Sequence, residues 1–239
     1  MAHVLDNPVW NALISGNKNL AEGPAQVKCF AADVSPFVGF ETPTPQAFGL
    51  LSALVPAERL LGIVSPSALD IPAPWQVVQQ MQVWQMVQEK PVASTPAALP
   101  PVPLRPEHVP AMLALTQQTN PGPFYSNTIA FGHYEGIFDG SNLVAMAGQR
   151  MHPLPYAEIS AVCTHPDYLG RGYAGQLIQR QAQRIVSGSG IPFLHVKSDN
   201  TRAIALYQHL GFTARKEMCF YIVRKKPEAG RRAATRTPA

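Results

Sequence analysis

A chain of 239 residues, 46% of them hydrophobic, has room for one large globular domain or two modest ones. Its net charge of +4 is small and gathered toward the end, in Arg224, Lys225, Lys226, Arg231, Arg232 and Arg236, and no basic cluster with interleaved aromatics occurs elsewhere, which argues against a nucleic-acid partner. No apolar run approaches the roughly eighteen residues of a membrane span, the first residues lack a secretory pattern, and the three cysteines (Cys29, Cys163, Cys219) have neither disulfide nor zinc-ligand spacing, so a cytoplasmic chain with reduced thiols, no membrane partner and no metal is expected.

In chain order, Asn7-Pro8 predicts the start of a helix running to Leu13, because proline is tolerated in a first helical turn. Gln26 to Ala31 and Leu60 to Val64 read as strands, with a helix from Gln46 to Leu54 between them. Gln76 to Gln88 alternates glutamine with Val, Met and Trp, a pattern compatible with helix or strand. Gly39, Gly49 and Gly62 are isolated, so no phosphate loop is visible in residues 1–90, and this stretch is expected to form a smaller, degenerate α/β domain of its own.

Residues 91–103 carry prolines at 91, 96, 100, 101 and 103 and read as a stiff linker, because proline removes a backbone donor and restricts the residue before it. Beyond it, residues 104–226 form the second expected domain. Ala111 to Gln118 predicts a helix, and His133 to Phe138 and Asn142 to Met151 a hairpin turning at Asp139-Gly140-Ser141. Tyr156 to Cys163 gives a third strand. A helix follows, with Leu177, Ile178, Ala182 and Ile185 on one face, ending at Ser187-Gly188-Ser189-Gly190. Ile191 to Val196 is a short buried strand, Thr201 to His209 a helix, and Phe212 to Val223 a terminal hairpin. Residues 227–239 form a basic tail with no apolar face, expected to be disordered.

The most informative stretch is Thr164-His165-Pro166-Asp167-Tyr168-Leu169-Gly170-Arg171-Gly172-Tyr173-Ala174, an apolar strand leading through glycines into an amphipathic helix. Glycines let a backbone approach a ligand closely, and a helix N-terminus offers unpaired N–H groups to a polyphosphate. Gly170 to Gly175 also spells the dinucleotide pattern G-x-G-x-x-G. Its context speaks against that reading: Pro166 interrupts the strand before the turn, and no acidic residue ends the next strand at the required spacing.

With the small residues Gly172 and Ala174 in place, and with Asn200, Ala203, Leu206, Tyr207 and Leu210-Gly211-Phe212 downstream, residues 102–224 resemble the GNAT superfamily of acyl-CoA-dependent N-acyltransferases, in particular its glycine N-acyltransferase-like branch. Leu169 departs from the superfamily signature, which has Gln or Arg there. The resemblance implies an α/β fold with a mixed sheet in which adjacent parallel strands splay to admit a coenzyme. It implies acetyl-CoA or another acyl-CoA as co-substrate, and a small-molecule or peptide amine as acceptor, bound together in a ternary complex. It also implies a coenzyme site made by Leu169, Gly170, Arg171, Gly172, Tyr173, Ala174 and Asn200, with the backbone of Ala161, Val162 and Cys163 pairing with the pantetheine arm as an added strand would.

Acyl transfer to an amine needs a neutral nucleophile, stabilisation of an oxyanion and a proton for the departing thiolate. By the resemblance, Glu158, eight residues before Pro166, is the candidate base, and burial is expected to raise its pKa toward neutrality. A solvated strand carboxylate is the alternative, with Glu135 as the rival base. Tyr207 is the candidate general acid, its alternative being a core aromatic; Asn200 could equally cap a helix. Cys163 reads as inert packing, and His165 and His195 as turn and strand residues, with His195 alternatively lining an acceptor pocket. A non-catalytic acyl-CoA binding module is the other functional reading.

Overall fold

The computed structural model describes residues 3–89 and 99–226. A 3-10 turn at Val4–Asp6 leads into α1 (Pro8–Ile14), followed by a small antiparallel sheet of β1 (Ala21–Glu22), β2 (Val27–Phe30) and β3 (Val38–Phe40). Next come α2 (Pro45–Leu54), β4 (Leu61–Ser65) and the long β5 (Trp75–Val87). The remainder supplies β6 (Val102–Pro103), α3 (Val109–Thr119), β7 (Glu135–Asp139), β8 (Asn142–Gln149), β9 (Tyr156–Thr164), α4 (Tyr173–Ser187), β10 (Ile191–Lys197), α5 (Thr201–His209) and β11 (Thr213–Lys225). The helix starts follow local chemistry: Pro8 and Pro45 sit in first turns, and the Thr44 hydroxyl accepts a hydrogen bond from the Ala47 N–H at 3.2 Å.

The fold is α/β, built on one mixed eight-stranded sheet ordered β4-β11-β5-β10-β9-β8-β7-β6. β9 and β10 pair in parallel; the other neighbours are antiparallel. α4 covers one face, burying Leu177, Ile178, Ala182 and Ile185 as their spacing predicts. Residues 3–14 pack on the opposite face, where Leu5, Val9 and Leu13 share a core with Val83, Val87, Met151 and Phe193.

Three expectations are corrected. The run from Gln76, which the sequence left open between helix and strand, is strand as far as Val87, and β5 lies between β10 and β11: Val87 pairs with Phe193 on one side and Thr213 on the other. The large sheet therefore draws strands from both sides of the expected boundary near residue 90: β4 and β5 complete it, while β1 to β3 form the small sheet beside it. The terminal segment is one strand instead of a hairpin. Thr213 to Lys225 contains no Gly, Pro, Asn or Asp to turn on, and β5 pairs along its whole length on one edge while β4 takes Cys219 to Val223 on the other. The end of the expected linker is ordered too, since Val102 and Pro103 pair with Gly136 and Glu135. The rest of that linker up to residue 98 and the basic tail lie outside the described residues.

Candidate active site

β9 and β10 start as parallel neighbours, pairing Tyr156–Glu158 with Ile191–Phe193, and then part. The cause is local. Ala161 adopts a left-handed φ of +52°, and the register of β9 against β8 slips between Met146 and Gly148, the mark of a bulge that bends one strand away from its neighbour. Past Glu158 the β10-facing edge of β9 has no strand partner among the described residues, so backbone groups of Ala161, Val162 and Cys163 are available there, as an added strand would need. The buried hydroxyl of Thr164 in the same gap has no partner among the described residues.

On one side the gap opens onto the glycine turn. The His165 side chain accepts from the Asp167 N–H at 3.3 Å and holds a short 3-10 turn through Tyr168. Gly170 and Gly172 both have φ of +79°, a conformation that glycine alone adopts cheaply, and a Cβ built on either would meet nothing within 4 Å. A turn that demands glycine and faces open space fits a bound phosphate. α4 begins immediately after Gly172, and no side chain among the described residues caps it, which leaves its first-turn amides open to an anion. The Arg171 guanidinium lies 4.4 Å from the Tyr168 ring centre, while the Leu169 side chain is exposed and donates nothing. The Tyr173 side chain is buried against Ile137, Val144 and Leu177, which leaves its backbone as the part able to touch a ligand. Asn200 caps α5 by accepting from the Ala203 N–H at 3.1 Å, and also lines the groove. This groove has a volume of about 560 Å³; among the described residues Arg202, which no sequence motif marked, is the one charged side chain lining it besides the turn itself.

A second cleft of about 410 Å³ opens from the other side and shares Thr119, Val162, Cys163, Thr164, Asn200, Ala203 and Tyr207 with the first. The two are ends of one passage through the splayed sheet, and Tyr207 stands where they meet. Phe37, Val64, Met81 and Phe220 form its apolar wall, and Arg150, His195 and Lys197 its cationic and imidazole groups. Burial pushes the Tyr207 hydroxyl up to about 12, so it keeps its proton throughout the neutral range. Burial likewise raises the Cys163 thiol to about 11, making it inert packing.

The expected base is not free. Glu158 has no solvent exposure and is held by Arg150 through Nε to Oε2 at 2.9 Å and Nη2 to Oε1 at 2.6 Å, with His195 Nδ1 2.8 Å from Oε1. Burial alone would raise its pKa, as expected from the sequence; the Arg150 guanidinium, then His195, overrule burial and hold it at about 2. Glu135, the rival, is also buried and committed, to Arg180 at 2.7 Å and Gln181 at 3.1 Å. Behind His195 the network continues: its Nε2 lies 3.1 Å from Gln85 Nε2, and Gln85 Oε1 accepts from Arg215 Nη1 at 2.7 Å. Of these partners, His195 alone was singled out by the sequence, as a strand residue that could line an acceptor pocket; Arg150, Gln85 and Arg215 were not.

Among the described residues, no group of three or more His, Cys, Asp or Glu side chains is placed to hold a metal ion, and no helix is long and apolar enough to cross a membrane. Residues 134–221 match the family described as FR47-like protein. The chain is 33% identical to a GNAT-family protein of known structure from Novosphingobium aromaticivorans, over 95% of this chain and 100% of that one, with a TM-score of 0.87. It is 37% identical over 84 residues to the N-alpha-acetyltransferase RimI of Mycobacterium tuberculosis (34% of this chain, 51% of the relative). It is also 36% identical over 67 residues to a mycothiol acetyltransferase of Corynebacterium aurimucosum (28% of this chain, 22% of the relative). The chain thus spans about half the length of the first of these curated relatives and less of the second.

Proposed function

The chain belongs to the GNAT family, and on that premise we propose that it moves an acetyl group from acetyl-CoA to the primary amine of a small molecule or peptide, with both substrates bound at once. The observation that carries this reading is the passage between β9 and β10. One end opens on a glycine turn and a bare helix N-terminus, the other on a cleft large enough for a second substrate, and Tyr207 stands at the junction.

Acetyl-CoA supplies the activated thioester carbonyl; the protein binds, orients and exchanges protons. Backbone amides from Gly170 to Ala174 receive the pyrophosphate, which compensates for the missing polar side chain at Leu169. The free edge of Ala161 to Cys163 receives the pantetheine amides and turns an N–H toward the carbonyl oxygen. Tyr207 holds a proton for the departing thiolate, and its burial keeps that proton in place until the thiolate forms. Glu158 holds Arg150 and His195 in the cleft wall and takes no proton from the amine.

The test is calorimetric titration of the whole chain with acetyl-CoA, followed by thiol release over a panel of peptide and small-molecule amines. Saturable binding with release for at least one amine is expected. Absence of binding would remove the reading. Binding with no release for any amine would favour a non-catalytic acyl-CoA module, the alternative that the exposed Leu169 supports.

A further inference from the structure

We propose that Gln85 is a positioning residue that keeps His195 neutral, with its Nδ1–H on Glu158 and its Nε2 lone pair occupied, so that the site takes the acceptor amine as its free base and removes no proton from it beforehand. This rests on the acetyl-transfer reading above and adds to it where the amine proton goes.

The buried Gln85 amide has its orientation fixed twice. Its Nε2 donates to the Leu5 carbonyl at 2.9 Å, and its Oε1 accepts from Arg215 Nη1 at 2.7 Å. A carbonyl only accepts and a guanidinium only donates, so nitrogen and oxygen of this amide cannot be exchanged. The second hydrogen on Nε2 is therefore what faces His195 Nε2 at 3.1 Å, and that imidazole nitrogen must accept. The ring hydrogen then sits on Nδ1, where the Glu158 carboxylate, an acceptor only, receives it at 2.8 Å. An imidazolium would set a second N–H against the Gln85 amide and leave one of the two donors unpaired inside the protein.

The charges facing His195 do not undo this. Glu158 on β9 is answered by Arg150 at 2.6 Å. Arg215 on β11 stands behind Gln85 and is answered by Asp6, which also receives Lys216 at 3.2 Å. Lys197, two residues along β10, is a cation without a carboxylate partner among the described residues and makes a further positive charge beside the ring unfavourable. Tyr207 and Cys163 already hold their protons. No group lining the cleft among the described residues is thus free to take one.

The proton balance closes without such a group. The neutral amine forms the C–N bond as the C–S bond breaks; the thiolate takes a proton from Tyr207, and the nitrogen gives up one proton as the amide forms, restoring Tyr207 with no net uptake. The consequence is a preference set by basicity. Near neutral pH an α-amine with a pKa of about 8 is free base a few hundred times more often than a lysine-like amine at about 10.4.

Two measurements decide the proposal. In the first, kcat/KM of the whole chain with acetyl-CoA is followed against pH for trifluoroethylamine, benzylamine and butylamine, whose amine pKa values rise in that order. The inflection should move with the acceptor, unit for unit; an inflection fixed across acceptors would overturn the proposal by revealing an enzyme base. The second needs no turnover: 15N spectra of His195 should show the neutral Nδ1–H tautomer from pH 6 to 9. An imidazolium or the Nε2–H form would overturn the assignment. In Gln85→Leu the freed Nε2 should titrate, and the pH profile should gain an acceptor-independent inflection. If acetyl-CoA does not bind and no amine releases thiol, acetyl transfer fails as a reading while the spectra still settle the tautomer.

Discussion

Glu158→Gln keeps the shape of a fully buried side chain and removes its charge, which leaves Arg150 Nε and Nη2 without the carboxylate they donate to at 2.9 and 2.6 Å and His195 Nδ1 without its anion. Breaking one partner of a buried pair costs about 3–5 kcal/mol, because the remaining charge stays desolvated. With a urea dependence of about 3 kcal/mol per molar for a protein of this size, the unfolding midpoint should fall by about 1–1.7 M. Urea unfolding followed by fluorescence reads this directly, since Trp84 lies on β5, the strand that carries Gln85. The sign with pH follows from the depressed pKa. The carboxylate contributes its full stabilisation above the ordinary carboxyl range and loses it as pH falls through about 2, so the gap between the two proteins should be widest at neutral pH and close in strong acid. An unchanged midpoint, together with turnover that falls selectively at low pH, would refute this reasoning and return Glu158 to the role of base.

Gly172→Val should leave the protein folded, because its Cβ meets no protein atom within 4 Å, at a strain cost of about 1–2 kcal/mol for φ of +79°. It should weaken acetyl-CoA by more than about tenfold, and unchanged affinity by calorimetry would remove the phosphate turn from the site. Tyr207→Phe should lower kcat by roughly ten- to a thousandfold with coenzyme affinity nearly intact, the range of a general acid; a loss confined to affinity would make Tyr207 a packing residue. Residues 100–226 expressed alone should show no cooperative unfolding by circular dichroism, because β10 and β11 would lose the strand between them. A folded fragment that binds acetyl-CoA would restore a boundary at the linker.

What the sequence by itself determined is what neighbouring residues decide among themselves. The apolar face of α4 follows from the 3.6-residue period, the start of α1 from a proline in its first turn, and the glycine turn from two glycines ahead of a helix. The turn proposed to receive the coenzyme was legible for the same reason: the shape of Gly170 to Ala174 is set by its own backbone, and Asn200 caps a helix three residues away.

Tertiary structure alone decided how β5 and β11 are used and what the acidic groups do. The glutamine-rich run at 76–88 fits more than one local conformation. It becomes a strand because β10 and β11, more than a hundred residues later, offer edges on both sides, and that same pairing removes any need for a terminal hairpin. Glu158 shows the physical reason most plainly. Burial pushes its pKa up, the Arg150 guanidinium and the hydrogen bond from His195 push it down, and the outcome depends on distances of 2.6 and 2.8 Å that exist only after β8, β9 and β10 have assembled. Periodicity and turn chemistry are properties of adjacent residues, whereas ionisation is set by neighbours and solvent exclusion that the folded chain brings together.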